Sequence, residues 1–199
     1  MYDFLENCCD FEPLIETTTG FETFDCGDDE LNDFFRNDAL KYQKELLGKT
    51  YYFSLKEDAS VIVCAFTIAN DSIKTFNIPG TRKNKINRNI PNAKRRKNYP
   101  GALIGRFGVN VAFKNRSIGS ELLKFIKLWI TEPDTKMGCR FILVDAYNDD
   151  IPLKFYKKNE FSELFTSEDE EKKFREIAGT EKLDTRLLYF DLIELSKGK

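Results

Sequence analysis

Apolar and polar positions follow two rhythms along the chain. From Asp28 onward Leu31, Phe34, Phe35, Ala39, Tyr42 and Leu46 recur every three or four residues. That spacing predicts a helix with Asp28, Asp29 and Glu30 in its first turn and Gly48 as its stop. A second helical stripe, Ile118, Leu122, Leu123, Ile126, Trp129 and Ile130, is ended by Pro133. Pro152 suits the first turn of a third helix over Ile151–Lys158. Ser167-Glu168-Asp169-Glu170 reads as a capping box opening a short, highly charged helix. Between these, Thr50–Leu55, Ser60–Ala69, Ala102–Val111 and Arg140–Ala146 are rich in β-branched, aromatic or continuous apolar residues and predict strands, the last buried on both faces. Phe11–Glu16 predicts a first strand before a loop over Thr17–Gly27, and Glu57-Asp58 a hairpin turn. Phe161–Phe165 and Arg186–Leu192 predict a closing antiparallel pair. Asn77–Pro100, with three prolines and most of the chain's clustered cations, is expected to be a long loop outside the core.

The order helix, strands, strand–turn–helix–strand–helix, strands defines one α/β or α+β domain over residues 1–199. Into it are set a basic insertion at about 72–100 and a charged helical insertion at about 167–180. With 41% hydrophobic residues and 18 Phe the chain can bury a real core. No apolar stretch approaches the roughly 20 residues that span a bilayer. The N-terminal Met-Tyr-Asp-Phe-Leu-Glu is no secretion leader, so the expected compartment is the cytoplasm, with no membrane partner. Cys8, Cys9, Cys26, Cys64 and Cys139 are odd in number and form no CxxC, which favours reduced structural thiols over a catalytic cysteine.

Charge is segregated. Lys74, Arg82, Lys83, Lys85, Arg88, Lys94, Arg95, Arg96 and Lys97 crowd the segment from Ser72 to Gly101, which contains no acid. The other 22 Lys and Arg face all 33 Asp and Glu. The basic segment is either solvated surface or a contact for a phosphate-rich partner. The chain has no histidine, which removes imidazole bases, His-based triads and His-ligated zinc, and no metal site is expected. Acid–base work falls to Asp, Glu, Tyr, Cys, Lys or water.

The most informative stretch is Ile104–Leu123, a strand running through a tight polar turn into an amphipathic helix. Helix-start amides, the helix dipole, small residues and the cations Lys114 and Arg116 together suit a phosphate. Neither GxxxxGK nor GxGxxG occurs there.

Lys114-Asn115-Arg116-Ser117-Ile118-Gly119 resembles the pyrophosphate-binding turn of the GCN5-related N-acetyltransferases, Arg/Gln-x-x-Gly-x-Gly/Ala, with Lys114 in the first position and Ser117 in place of the first glycine. Val144-Asp145-Ala146-Tyr147-Asn148, followed by Phe155-Tyr156-Lys157-Lys158-Asn159-Glu160-Phe161, resembles the family's second motif, with Glu160 in its glycine place. A left-handed Glu160 would cost roughly 1 kcal/mol unless Asn159 took that conformation instead. Phe24-Asp25-Cys26-Gly27, Leu31-Asn32-Asp33-Phe34 and Ile104–Val109 further resemble the family's toxin subgroup from bacterial toxin–antitoxin pairs, which acetylates the amine of aminoacyl-tRNA.

The resemblance implies a mixed, mostly antiparallel twisted sheet flanked by helices, with a V-shaped splay at the CoA site. It implies direct acetyl transfer from acetyl-CoA to a primary amine, without a metal. Val109, Asn110 and Val111 would pair with the pantetheine arm. Lys114, Asn115, Arg116, Ser117, Ile118, Gly119 and Ser120 would hold the pyrophosphate. Asn148 and Phe155 would touch the CoA arm, and Tyr156 would protonate the departing thiolate. Each has a plainer reading: a packed ring for Tyr156, a helix-start residue for Asn148, solvated charges for Lys114 and Arg116, an inter-strand ion pair for Arg106. Asp145 is a candidate base. The acceptor is left open between tRNA bound by residues 74–97 and a small-molecule or protein amine. A non-catalytic binding module is the competing class. An antitoxin protein and a second copy of the chain are the implied partners.

Overall fold

The structure, a computed structural model, describes residues 3–76, 78–88, 90–92, 97–135 and 138–198. The chain opens with a short helix, α1 (Phe4–Cys8), and an edge strand, β1 (Cys9–Pro13). The strand thus starts and stops earlier than the apolar pattern over 11–16 suggests. After a loop, α2 (Asp29–Asp33) is capped by the Asp28 carboxylate, which accepts from the Leu31 amide at 3.0 Å. A π-helical turn (Phe34–Asp38) leads into α3 (Ala39–Lys44), so the expected single helix is widened by one turn. Phe34, Phe35 and Ala39 are buried, but Leu46, expected on the same stripe, is 90% exposed.

Strands β2 (Lys49–Leu55) and β3 (Asp58–Lys74) form the predicted hairpin. Then comes α4 (Gly80–Ile86), inside the segment expected to be loop, followed by β4 (Asn98–Val109). Ile78, Ile86 and Tyr99 are buried and explain that correction: three apolar anchors tie an otherwise polar segment to a core. Thr75 closes its ends, donating its amide and hydroxyl to the Lys97 carbonyl at 2.7 and 3.0 Å. Lys94, Arg95 and Arg96 lie outside the described residues. A 3-10 turn (Val111–Phe113) precedes α5 (Ile118–Ile130). The rest is β5 (Phe141–Tyr147), α6 (Asp150–Lys158), β6 (Ser162–Glu163), α7 (Glu168–Arg175), β7 (Thr185–Asp191) and a closing 3-10 segment (Leu192–Gly198). The sheet order is β1-β2-β3-β4-β5-β7-β6, and β1-β2, β2-β3, β5-β7 and β6-β7 are antiparallel pairs.

The chain divides into two compact units, residues 1–70 with 104–130 and residues 71–103 with 131–199, and β3 and β4 each run from one into the other. In the first unit, Phe11, Tyr51, Phe53, Phe66, Phe125 and Trp129 form a connected ring cluster between the sheet and α5. A second cluster packs Phe21, Phe24, Phe34 and Phe35. In the second unit the core gathers Ile73, Ile86, Tyr99, Phe141, Leu164, Phe165 and Tyr189. Burying side chains of this size contributes about 1.5–3 kcal/mol each, which makes these aromatics the main source of stability.

Three helices end on a non-glycine residue in the left-handed region: Leu46 (φ 58), Glu160 (φ 68) and Glu176 (φ 59). Around Glu160 the closing bonds are Glu160 N–H to Lys157 O and Phe161 N–H to Tyr156 O, both 3.0 Å. Leu46 and Leu47 close α3 likewise on Gln43 and Tyr42, at 3.0 and 3.1 Å, and Ile177 returns to Lys172 at 2.9 Å. These hydrogen-bonded caps normally carry glycine. Replacing each residue by glycine relieves Cβ strain of about 1–2 kcal/mol and forfeits part of that gain to unfolded-chain entropy. Leu46→Gly, Glu160→Gly and Glu176→Gly together should raise stability by about 2 kcal/mol, measurable as a thermal midpoint higher by roughly 5 °C.

Candidate active site

Residues assigned to the CoA turn lie in the first unit. β4 delivers Asn110, whose amide N–H donates to the Val63 carbonyl of β3 at 2.9 Å and whose Nδ2 donates to the Ile62 carbonyl at 3.0 Å. Its Oδ1 accepts from the Ala112 amide at 3.0 Å and starts the 3-10 turn. The Val111 amide donates to the Asp25 carbonyl at 2.8 Å. Both N–H groups are therefore engaged within the fold.

Beyond the 3-10 turn, Lys114, Asn115, Arg116 and Ser117 are exposed. Asn115 (φ 62) and Ser117 (φ 63) are left-handed, so Ser117 holds the backbone conformation that the motif's first glycine would hold. The Ser117 carbonyl accepts from Ser120 N–H at 3.0 Å and Glu121 N–H at 3.1 Å, opening α5. The amides of Ile118 and Gly119 precede the first intrahelical bond and head a 13-residue helix. Ile118 is buried, so its contribution here is backbone only. Gly119 and Ser120 are half-buried, and the small Gly119 leaves room at the helix start. The Arg116 guanidinium stands 5.7 Å from the Phe113 ring centroid, which supports it without neutralising it. This arrangement suits a pyrophosphate: amides, a helix dipole and two cations on one short turn.

Gly27, at the end of the Phe24–Gly27 stretch, faces the same turn. Its φ is +76, and a Cβ there would come within 2.8 Å of Lys114 Nζ and 3.3 Å of Val111 Cγ1. Gly108 is also tightly packed: a Cβ would meet Cys26 Cβ and Phe35 Cε2 at 3.2 Å. Arg106 lies 4.8 Å above Phe34, donates to the Gly105 carbonyl at 2.9 Å and reaches Glu30 at 3.7 Å. Its ionic partner is thus on a helix rather than on a neighbouring strand.

The remaining candidates lie in the second unit. Tyr156 on α6 is half-buried between Phe155 and Phe161, at ring-centroid distances of 5.2 and 5.5 Å. Burial pushes its phenol well above the usual range, so it stays protonated at any working pH. The Asn148 side chain is occupied: Nδ2 donates to Glu168 Oε1 at 2.9 Å and to the Leu183 carbonyl at 2.8 Å. Glu168 also accepts from the Leu183 amide at 2.9 Å, and these two hydrogen bonds, Asn148 first, hold its carboxyl below the usual range. Through its Nδ2, Asn148 thus ties the end of β5 to α7 and the 183–184 segment. Asp145, the candidate base, is ion-paired with Arg175 at 2.5 Å.

Ser167 Oγ accepts from the Glu170 amide at 3.2 Å as predicted, but the Glu170 carboxylate takes the Thr166 amide at 2.9 Å rather than Ser167's own. The pattern missed Glu171, the fully buried centre of an ionic network described below. Desolvation pushes the thiols of Cys9 (to about 12), Cys26, Cys64 and Cys139 up, so they are not nucleophiles at neutral pH. It also raises the phenols of Tyr51, Tyr52, Tyr156 and Tyr189. Above about pH 9 the unfolded chain loses these protons first, so it binds fewer than the native state and stability falls as pH rises. The chemical-denaturation midpoint should be lower at pH 10.5 than at pH 8, a window set by the unfolded groups at roughly 8.5 and 10.

No protein-family model matches the chain. Among solved structures it is similar to AtaT complexed with acetyl-methionyl-tRNAfMet, at 17% identity, a TM-score of 0.71 and coverage of 95% of this chain and 98% of that one. It is similar to a tyrosine-to-phenylalanine mutant of KacT at 14% identity and a TM-score of 0.71, covering 97% and 100%. It is similar to AtaTR bound with AcCoA at 16% identity and a TM-score of 0.67, covering 96% and 98%. The fold is therefore the GCN5-related N-acetyltransferase fold that the sequence motifs implied. Within that fold, the chain has the architecture of the AtaT and KacT structures over nearly its whole length. Among the described residues no helix is long and apolar enough to cross a membrane, and no group of His, Cys, Asp and Glu could hold a metal ion.

Proposed function

We propose that the protein is an acetyl-CoA-dependent N-acetyltransferase whose acceptor is the amino group of an aminoacyl-tRNA. The observation that carries the reading is the turn from Asn110 to Ser120, with its left-handed Asn115 and Ser117 and its helix-start amides beside Lys114 and Arg116. Ser117 and Glu160 depart from the motif glycines in sequence but keep the left-handed conformation. The argument for a degenerate, non-catalytic module thereby loses its two sequence features.

In this reading the amides of Ile118 and Gly119, with Lys114 and Arg116, hold the pyrophosphate. The Val109 backbone orients the pantetheine arm, and Phe155 lines it. An unprotonated amine attacks the thioester carbonyl carbon, the C–N bond forms, the C–S bond breaks, Tyr156 gives its phenolic proton to the leaving sulfur, and the surplus proton on the new amide nitrogen passes through water to restore the phenol. A phenol near 10 and a thiol near 8.5 differ by about 2 kcal/mol, and burial of Tyr156 widens that gap unless the sulfur leaves into equally dry surroundings. With Asp145 engaged by Arg175, water and the low pKa of an aminoacyl-ester amine serve for amine deprotonation.

The tRNA acceptor is supported by the acetyl-methionyl-tRNAfMet seen with AtaT and by the cations around α4. Lys74, Lys85, Arg88 and Lys97 are exposed there, and Arg82 and Lys83 half-buried. An antitoxin partner belongs to the same proposal, since AtaT has been seen bound to the C-terminus of the antitoxin AtaR. Lys85→Ala/Arg88→Ala should weaken tRNA binding and reduce the slope of log affinity against log salt by about 2. An unchanged slope in a filter-binding titration would remove these two cations from the interface.

A further inference from the structure

The loop at Asp25 is built against the CoA turn. Asp25 Oδ1 accepts from the Gly27 amide at 2.7 Å and from Asn32 Nδ2 at 2.9 Å, and Asn32 Oδ1 accepts from the Cys26 amide at 2.8 Å. The Asp25 main-chain carbonyl accepts from Val111 N–H at 2.8 Å, strapping the loop to the start of the turn. On this loop rests the Lys114 ammonium, 2.8 Å from where a Gly27 Cβ would be, a position that only a left-handed glycine leaves open. Among the described residues Lys114 makes no ion pair within 4 Å. Asp25 feels it nonetheless: the hydrogen bonds from Asn32 and Gly27, and then the charges of Lys114 and Arg36, hold its carboxyl below the usual range.

We propose that Asp25 is a positioning residue that draws Lys114 toward the 25–27 loop and so competes with the CoA pyrophosphate for its single ammonium, setting the affinity for acetyl-CoA below what the turn alone would give. This rests on the reading of the turn as a pyrophosphate site. Such a brake would keep CoA exchangeable after each transfer, because the ammonium has a second resting place when the pyrophosphate departs. Arg36, the other cation acting on Asp25, belongs to the π-helical turn and lies outside the proposed phosphate cradle.

Asp25→Asn tests this, because its side-chain oxygen still accepts from Gly27 and Asn32 while the charge is gone. Calorimetry on the full chain with CoA should show binding tightened by about two- to fivefold, the range of an exposed charge interaction, with the gain shrinking at high salt. Pantetheine, which lacks the pyrophosphate, should bind with unchanged affinity. In a Lys114→Met background the gain should vanish, and Lys114→Met alone should weaken CoA but not pantetheine. Unchanged or weaker CoA binding by a folded Asp25→Asn protein overturns the inference. So does a gain that persists without Lys114 or appears equally with pantetheine. Failure of the unmodified chain to bind CoA overturns both this inference and the acetyl-CoA reading, whereas normal CoA binding without an Asp25 effect overturns the inference alone.

Discussion

Tyr156→Phe should lower turnover by about 10²–10⁴-fold, the usual contribution of a positioned general acid, while leaving CoA affinity within about twofold. The substitution removes one oxygen and keeps the ring that packs on Phe155 and Phe161. A thermal midpoint measured alongside checks that the variant is folded. The separation of effects is what matters: a loss in kcat with no loss of binding assigns the phenol to the chemical step. Turnover equal to the unmodified protein would reduce Tyr156 to a packing residue and leave the leaving thiolate to be protonated by water.

Glu171→Gln should cost about 3–5 kcal/mol in urea denaturation, a large share of the roughly 5–15 kcal/mol that holds a typical domain folded. Glu171 is fully buried, and its two oxygens accept from Arg186 Nε at 2.6 Å, Arg175 Nη2 at 2.7 Å and the Leu187 amide at 2.7 Å. Glutamine fits the space but removes the charge that Arg186, itself 7% exposed, was buried against. Glu163, 3.9 Å from Arg186, is too distant to replace it. The double replacement Glu171→Leu/Arg186→Met should recover part of the loss, since no charge is then left uncompensated. Full recovery is not expected, because the Leu187 amide loses its acceptor and Arg175 loses one of its two carboxylate partners.

These two residues differ in how far the sequence revealed them. Tyr156 sits in a motif, and α6 formed where Pro152 and the apolar spacing placed it. The strand–turn–helix from Ile104 to Ile130 was equally legible, because a 3.6-residue stripe ending at a proline has few other solutions. Glu171 was invisible: in a run of charged residues nothing marks the one carboxylate that turns inward. Asn148 was legible only in part: its position matched a motif, but the hydrogen bonds of its Nδ2 to Glu168 and Leu183, far along the chain, left no local signal. The helix within residues 80–86 was hidden by composition, in a polar segment anchored by a few apolar residues such as Ile78, Ile86 and Tyr99. At Ser117, Glu160 and Leu46 the backbone conformation overrode residue preference, because tertiary packing and cap hydrogen bonds outweigh a strain of about 1–2 kcal/mol. The Asp25 loop needed the structure, since its hydrogen bonds to Asn32 and Val111 span separations that local patterns do not encode.

Transfer of label from [acetyl-¹⁴C]acetyl-CoA to aminoacylated tRNA is the most direct measurement of the central claim. Label is predicted in the tRNA fraction, on the amino acid's nitrogen, released with the aminoacyl group by mild base. It should be absent from tRNA stripped of its amino acids, and nearly absent with Tyr156→Phe. Contradiction would be a chain that binds CoA and yet leaves aminoacyl-tRNA unlabelled, whether or not another amine takes the acetyl group.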